Sequence, residues 1–229
     1  ETEIARISYD SRTTAPGDVF VAMTGFATDG HAYIGKAAAA GAAAVVCERA
    51  PQDTGIPYVQ VADSRQALAV MAANYYGHPA DHMTMVAVTG TNGKTSTTYL
   101  LKAVLEQELG AKVGLIGTNQ DMIGDEVIPT ERTTPESLEL QELFARMRDA
   151  GCTHVVMEAS SHALFLRRVY GIRFAVGIFT NLTQDHLDFH KTMEAYCDAK
   201  AILFQNCDVG VYNADDPWAA RLLENATCR

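Results

Sequence analysis

The sequence predicts an α/β protein in which a small N-terminal α/β domain precedes a larger, mostly parallel sheet with helices on both faces. From residue 81 onward, apolar runs of strand length alternate with amphipathic runs of helical length, a pattern typical of a parallel sheet covered on both sides. Before this point, Gly77-His78-Pro79 interrupts two periodic segments, as linkers do. We therefore predict a domain boundary there, with domains at residues 1–80 and 81–229.

The composition disfavours several classes of protein. The chain has 229 residues, 48% of them hydrophobic, and a formal charge of −10, and this acidic balance argues against a general nucleic-acid binder. No apolar run is long enough to span a bilayer, and no cationic start precedes an apolar segment. We therefore expect a cytoplasmic protein with no nucleic-acid or membrane partner. The five cysteines are scattered without a paired motif, which fits a reducing compartment.

Short apolar runs bounded by Gly, Pro and Asp predict the elements of the N-terminal domain. Its strands are predicted at residues 19–23, 42–47 and 58–61, its helices at 31–40 and 64–76, and a loop at 25–30. In the second domain, strands are predicted at 85–89, 112–116, His154–Glu158, Phe174–Phe179 and 208–212. Helices are predicted from Lys94 to a cap at Gly110, from Thr134 as N-cap and Pro135 as first residue to Gly151, and over 192–204.

A glycine-rich turn joins the first strand of the second domain to its first helix. The turn and the helix start consist of Gly90, Thr91, Asn92, Gly93, Lys94, Thr95 and Ser96. Its glycines let backbone N–H groups point inward, and the helix start adds the positive end of its dipole. Lys94 can reach the outer phosphates of a nucleotide, and the Thr95 hydroxyl can hold Mg²⁺. Because Val88 replaces the first glycine of the full P-loop pattern, we interpret this as a shortened P-loop; the alternative is an ordinary turn with a surface lysine.

Polar residues follow the other predicted strands, where ligands of open parallel sheets bind. Glu158 closes an apolar strand, where an unpaired carboxylate would be costly. We interpret it as a metal ligand, as in many NTPases, with a carboxylate that faces water as the alternative. Ser160-Ser161-His162 follows it without a nucleophile elbow, which disfavours serine hydrolysis.

Two further stretches hold candidate site residues. Residues 185–190 alternate Asp and His, but residues two apart point away from each other on a helix. One histidine on Mg²⁺, with the others structural, is therefore favoured over a four-ligand site. Lys200 falls on the apolar stripe of the predicted helix over 192–204. It must snorkel, find an anionic partner or lose its charge, and the periodicity leaves these alternatives open.

These motifs, in their order and spacing over residues 7–216, resemble those of the Mur ligase family, and most closely its MurE-type UDP-N-acetylmuramoyl-tripeptide synthetases. The resemblance rests on Asp10-Ser11-Arg12, residues 16–22, 89–95, Arg132-Thr133-Thr134-Pro135, residues 157–164, 181–188, and Met193-Glu194-Ala195-Tyr196 with Lys200. It implies a cytoplasmic, ATP- and Mg²⁺-dependent ligase of peptidoglycan synthesis. Such a ligase adds meso-diaminopimelate or L-lysine to UDP-N-acetylmuramoyl-L-alanyl-D-glutamate through an acyl phosphate.

The resemblance also assigns roles to individual residues. It implies catalysis by Lys94, His186 and Lys200, one Mg²⁺ on Thr95 and Glu158, and a second on His186 and a carbamylated Lys200. The UDP-N-acetylmuramoyl dipeptide is assigned to Ser11, Arg12, Thr133, Thr134, Ser160 and Arg168. The first domain is then a UDP-binding domain, and the second is a P-loop ATPase-type sheet. We expect a monomer whose partners are this dipeptide substrate, ATP and a diamino acid.

Two departures from the family pattern accompany the resemblance. Phe26-Ala27-Thr28 stands where many relatives carry His-Gln, which leaves the uridine contacts of that loop open. Family members are about twice as long, so we expect an incomplete central domain, no C-terminal amino-acid-binding domain and an inactive fragment. The alternatives are a MurF-type, cyanophycin synthetase or folylpolyglutamate synthetase relative, or a non-catalytic nucleotide-sugar binding module. Asp10-Ser11-Arg12 disfavours the folate enzyme, and residues 157–162 favour the MurE type over the MurF type.

Overall fold

A computed structural model describes residues 3–25, 28–52 and 55–229. It divides into two compact units, Glu1–Ala72 and Ala73–Arg229, and the predicted α/β class is confirmed. Phe26 and Ala27, where the sequence departs from many relatives, lie outside the described residues. Within the described ranges, none of the helices combines the length and the apolar character that a bilayer span requires.

The first unit is built on a four-stranded parallel sheet with strand order β1-β2-β3-β4. Its elements are β1 (Arg6–Ser8), β2 (Asp18–Val21), a 3₁₀ turn (Gly30–Tyr33), α1 (Ile34–Ala39), β3 (Ala44–Cys47), β4 (Tyr58–Gln60) and α2 (Ser64–Tyr75). Phe20, Ile34 and Val45 form its core together with small residues of the same elements. The predicted helix over 31–40 is thus shorter and begins with a 3₁₀ turn, because Asp29 accepts a hydrogen bond from the His31 N–H and tightens the first turn.

The second unit is built on a seven-stranded sheet with strand order β11-β10-β5-β9-β6-β7-β8. Its strands are β5 (Thr84–Thr89), β6 (Val113–Ile116), β7 (Asp121–Ile123), β8 (Glu126–Ile128), β9 (His154–Glu158), β10 (Phe174–Phe179) and β11 (Cys207–Tyr212). Its helices are α3 (Lys94–Leu109), α4 (Ser137–Asp149), α5 (Ser161–Phe165), α6 (Leu187–His190), α7 (Met193–Ala201) and α8 (Ala219–Leu223), with 3₁₀ turns at Pro79–His82 and Ile202–Gln205.

Helices cover both faces of this sheet, as the strand and helix alternation predicts. On one face, Val86, Val113 and Val156 pack under α3. On the other face, Ala87 and Met157 belong to the large core that also includes α4, α5 and α7. The five central and outer strands β11, β10, β5, β9 and β6 are parallel, so their carboxyl ends meet at one edge of the sheet.

Three local features differ from what the sequence predicted. The hairpin of β7 and β8 is antiparallel and was not predicted, because strands of three residues are too short to display a period. Thr134 is not the N-cap of α4; the helix begins at Ser137 after Glu136, because the Thr134 hydroxyl is bonded to the Glu158 carbonyl instead. The predicted helix over 192–204 ends as an α-helix at Ala201 and continues as a 3₁₀ turn.

Asp121 provides a test of this fold through the pH dependence of stability. It is buried at the start of β7, and its carboxylate accepts a hydrogen bond from the Gly117 N–H at 3.2 Å. Burial raises the pKa of Asp121 to about 6, so the folded state holds a proton that the unfolded chain releases near pH 4. Stability is therefore lost as the pH rises from about 4 to about 6.

We expect Asp121→Asn to remove this loss while retaining an oxygen that can accept from Gly117. In urea unfolding, the variant should gain up to about 3 kcal/mol relative to the parent chain between pH 4 and pH 7.5, at about 1.4 kcal/mol per pKa unit. Asp125→Asn, on the exposed turn of the same hairpin, is the control and should follow the parent chain. Parallel pH curves for Asp121→Asn and the parent would contradict the prediction.

Candidate active site

The turn after β5 requires glycine for steric reasons. Gly90 has φ of +145°, and a Cβ atom built there would lie 2.0 Å from Thr180 Oγ1. Gly93, the N-cap of α3, has φ of +84° with open space around it. The first glycine therefore permits a close approach of β5 to the segment after β10, and the second permits the left-handed backbone that starts the helix.

Hydrogen bonds connect the glycine-rich loop after β5 to the segment that follows β10. The Thr91 N–H donates to the Asn181 carbonyl at 2.8 Å, and the Asn92 N–H donates to Asn181 Oδ1 at 3.0 Å. Thr180 Oγ1 in turn donates to the Asn92 carbonyl at 2.7 Å. Because these two loop N–H groups are used within the protein, the N–H groups that remain for a phosphate are those of the first turn of α3, which lack intrahelical acceptors.

Two lysines meet at the carbonyl oxygen of Gly90. Lys94 Nζ donates to it at 3.0 Å and to the Thr91 carbonyl at 2.9 Å, and Lys200 Nζ donates to it at 2.8 Å. Burial lowers the pKa of Lys94, partly offset by the negative charges of Glu158 and Asp185. Burial, followed by repulsion from Lys94, lowers the pKa of Lys200 to about 7. The Gly90 carbonyl is therefore contacted by two amines whose charged forms are disfavoured by burial.

Lys200 does not snorkel, since its side chain is 1% exposed within the stripe of α7. Its ammonium lies 4.5 Å from the centroid of the Tyr196 ring, within the range of a cation–π contact. The Tyr196 hydroxyl lies 3.3 Å from Thr91 Oγ1. Tyr196 thus touches both the lysine and the glycine-rich loop, although the sequence indicated only an apolar position.

Glu158 is fully buried at the end of β9, so the interpretation as a carboxylate that faces water is wrong. Its Oε1 accepts from Thr95 Oγ1 at 2.9 Å and from the Thr118 N–H at 3.0 Å, and its Oε2 accepts from Thr118 Oγ1 at 3.0 Å. A carboxylate beside a threonine hydroxyl is the kind of oxygen pair that Mg²⁺ prefers. The side chains of Thr95 and Glu158 therefore fit a magnesium site.

The Asp and His residues of 185–190 do not converge. His186 is about half-exposed and has φ of +52°, and its ring lies 4.9 Å from that of His162 and 6.1 Å from that of Tyr196. His190 is buried against Ser161 Oγ at 2.9 Å, and burial lowers the pKa of His190 to about 4. Across the described part of the chain, no three His, Cys, Asp or Glu residues form a group that could hold a metal.

Thr134 and three other residues that the resemblance assigns to the acceptor lie close together. The Thr134 hydroxyl donates to the Glu158 carbonyl at 2.8 Å and accepts from the Ser160 N–H at 3.2 Å. Arg168 donates to the Thr134 carbonyl at 3.0 Å. Thr133 Oγ1 lies 3.0 Å from Thr118 Oγ1. Glu158 therefore contacts both sets of residues. Its backbone carbonyl accepts from Thr134 in this group, and its carboxylate accepts from Thr95, with which it fits a magnesium site.

The remaining assigned residues belong to the first unit. Ser11 is largely buried, whereas Arg12 is exposed and paired with Asp10 at 2.6 Å. Hydrogen bonds from Arg12 lower the pKa of Asp10. Within the second unit, Thr118 and Asn181 contact the site, but no role was given to them from the sequence. The rule that ligands lie beyond strand ends includes both among the polar residues after the strands, because each lies two residues after a strand end.

We expect Gly90→Ala to destabilise the second unit by at least about 3 kcal/mol, from both backbone strain and the clash with Thr180. Gly110→Ala is the matched control: its φ is +59° in open space at the end of α3, so it should cost only about 1–2 kcal/mol. Urea unfolding of both variants measures the difference. Equal losses in the two variants would show that the close approach at Gly90 is not a constraint.

Comparison with known proteins agrees with this geometry. Residues 88–229 match the family described as Mur ligase middle domain, and residues 3–76 match the one described as Mur ligase family, catalytic domain. A UDP-N-acetylmuramoyl-L-alanyl-D-glutamate--2,6-diaminopimelate ligase of Clostridium botulinum is 51% identical over 228 residues, which cover 98% of this chain and 47% of that protein. The chain spans about half the length of the curated relatives it matches.

Solved structures give the same relationship. One of a UDP-N-acetylmuramoyl-L-alanyl-D-glutamate--2,6-diaminopimelate ligase superposes with a TM-score of 0.82 at 31% identity, covering 96% of this chain and 45% of that one. The MurF ligase from Thermotoga maritima in complex with ADP superposes with a TM-score of 0.61 at 26% identity, covering 96% and 48%. With its two sheets and its glycine-rich loop, the chain belongs to the Mur ligase family.

Proposed function

We propose that this chain carries the nucleotide and acceptor sites of an ATP-dependent amide ligase that adds meso-diaminopimelate or L-lysine to UDP-N-acetylmuramoyl-L-alanyl-D-glutamate. The observation that carries the proposal is that Glu158 contacts both groups of site residues. Its side chain holds Thr95 at the phosphate loop, while its carbonyl holds Thr134 at the acceptor group. The names of the relatives supply the identity of the substrates. As the resemblance implies, the proposal includes a cytoplasmic monomer whose first unit binds the UDP end through Ser11 and Arg12.

On the nucleotide side, the first turn of α3 and Lys94 bind the phosphates of ATP. Lys94 donates to the Gly90 and Thr91 carbonyls, and a phosphate oxygen is a stronger acceptor for an ammonium than a neutral carbonyl. A magnesium ion held by Thr95 and Glu158 would neutralise charge that develops on the phosphates. Lys94 thereby orients the terminal phosphoryl group and stabilises its transfer.

On the acceptor side, Thr134, Ser160 and Arg168 orient the glutamyl end of the substrate. A carboxylate oxygen of that residue attacks the terminal phosphorus of ATP, and ADP leaves. The amine of the incoming amino acid then attacks the carbonyl carbon of the acyl phosphate, loses a proton and expels inorganic phosphate. Holding donor and acceptor on one strand-end edge lowers the barrier mainly through proximity and orientation.

Lys200 completes the proposed site. Because the pKa of Lys200 is lowered to about 7, a substantial fraction of its amine is neutral near pH 7. A neutral amine can add CO₂ and release one proton, which leaves a carbamate anion on Nζ. With His186, this carbamate would hold a second Mg²⁺. The proposal thus accounts for a buried lysine that has no carboxylate within salt-bridge distance in the described residues.

Lys94→Ala tests the nucleotide part of the proposal. Because it removes a charged hydrogen bond worth about 1.5–3 kcal/mol, we expect Mg·ATP to bind the 229-residue chain about 10- to 150-fold more weakly. Lys112→Ala is the control, because Lys112 is exposed and bonded to the Ala150 carbonyl at the opposite edge of the sheet. Calorimetric titration of each variant gives the comparison, and unchanged affinity in Lys94→Ala would reject the role.

Phosphate release separates a ligase from a binding module. The chain is mixed with ATP, the UDP-muramoyl dipeptide and either diamino acid, and inorganic phosphate is measured. Release that requires both the dipeptide and the amino acid supports a ligase. Binding of ATP and the dipeptide without any release is the result expected of an inactive fragment, and this stretch of chain then acts as a nucleotide-sugar binding module.

A further inference from the structure

A buried carboxylate beside the acceptor group has no role in the proposed chemistry. Glu136 is the N-cap residue of α4, and its side chain is 9% exposed. N-cap side chains usually accept a hydrogen bond from the first turn of their helix, but the Glu136 side chain makes no such bond. Its burial is therefore not explained by capping.

The carboxylate instead contacts two arginines. Glu136 Oε1 lies 2.7 Å from Arg168 Nε and 3.9 Å from the guanidinium of Arg132. The Arg168 side chain is 16% exposed, whereas that of Arg132 is 51% exposed. A pair at 3.9 Å whose arginine is half-exposed contributes little, so the contact with Arg168 is the significant one.

Arg168 is consequently held at two points of one segment, the residues 134–136 that precede α4. The Glu136 carboxylate forms an ion pair with the guanidinium, and the Thr134 carbonyl accepts a hydrogen bond from one of its terminal nitrogens at 3.0 Å. An arginine side chain has about 2 kcal/mol of rotamer entropy to lose when it becomes ordered. A guanidinium that is already fixed avoids this loss when an anion binds, which is the benefit of preorganisation.

We propose that Glu136 is a positioning residue of the acceptor site: it holds the guanidinium of Arg168 in the orientation that receives a carboxylate of the acceptor. This inference rests on the proposed function, which gives Arg168 its acceptor role. Two other roles lead to different results. If Glu136 only stabilises the start of α4 through the helix dipole, its replacement lowers stability without acting through Arg168. If Glu136 competes with the acceptor for Arg168, its replacement tightens binding.

Glu136→Gln in the 229-residue chain tests the proposal, with UDP-N-acetylmuramoyl-L-alanyl-D-glutamate as the calorimetric probe. We expect the probe to bind about 10-fold more weakly, the usual size for loss of a group that orients a ligand-binding side chain. In an Arg168→Ala background, Glu136→Gln should have no further effect on the affinity. Glu139→Gln makes the same charge change on an exposed residue in the first turn of α4 and should leave the affinity unchanged.

A second measurement does not depend on the ligand. The guanidinium of Arg168 should be rigid on the nanosecond timescale in the parent chain, by NMR relaxation of its Nε, and mobile in Glu136→Gln, because the ion pair restrains it. If this guanidinium is mobile in both, or if Glu136→Gln binds the probe as well as the parent or more tightly, the inference is overturned. Equal losses with and without Arg168 also overturn it. A parent chain in which this guanidinium is rigid but which does not bind the probe would contradict the proposed function and leave the positioning of Arg168 by Glu136 supported.

Discussion

The carbonyl oxygen of Gly90 accepts hydrogen bonds from two lysines, and the arrangement of the second unit depends on this contact. Lys94 reaches it from the start of α3, and Lys200 reaches it from α7 on the other side of the sheet. Two ammonium groups on one buried oxygen repel each other, and burial adds to the cost of their charges. In the proposed function, Lys94 exchanges this contact for a phosphate, while the amine of Lys200 stays partly neutral.

Glu158 is the second residue on which the arrangement of the site depends. It is a single buried residue whose side chain bonds Thr95 and whose carbonyl bonds Thr134, so the distance between the phosphate loop and the acceptor group is fixed by the end of one strand. A rigid strand end is a better support for two reactants than a pair of independent loops. The buried Glu158 side chain also explains why residue 117 is glycine, since a Cβ there would lie 2.7 Å from Glu158 Oε1.

The sequence predicted the features that depend on local pattern. Alternating strands and helices predicted the sheet, the cost of an unpaired carboxylate singled out Glu158, and helical spacing singled out Lys200. Contacts between distant segments were not predictable in this way. The Thr134 hydroxyl bonds the end of β9 rather than capping α4, and Glu136 turns toward Arg168 rather than toward its own helix. No periodicity signals either choice, because each is decided by a partner more than twenty residues away.

A crystal structure of this chain with Mg²⁺ and a non-hydrolysable ATP analogue tests the central claim most directly. The account predicts that Lys94 Nζ leaves the Gly90 and Thr91 carbonyls for the outer phosphates, while Lys200 stays beside Gly90 and the metal lies on Thr95 and Glu158. The contrary result is an analogue bound elsewhere, with Lys94 and Lys200 both still bonded to the Gly90 carbonyl.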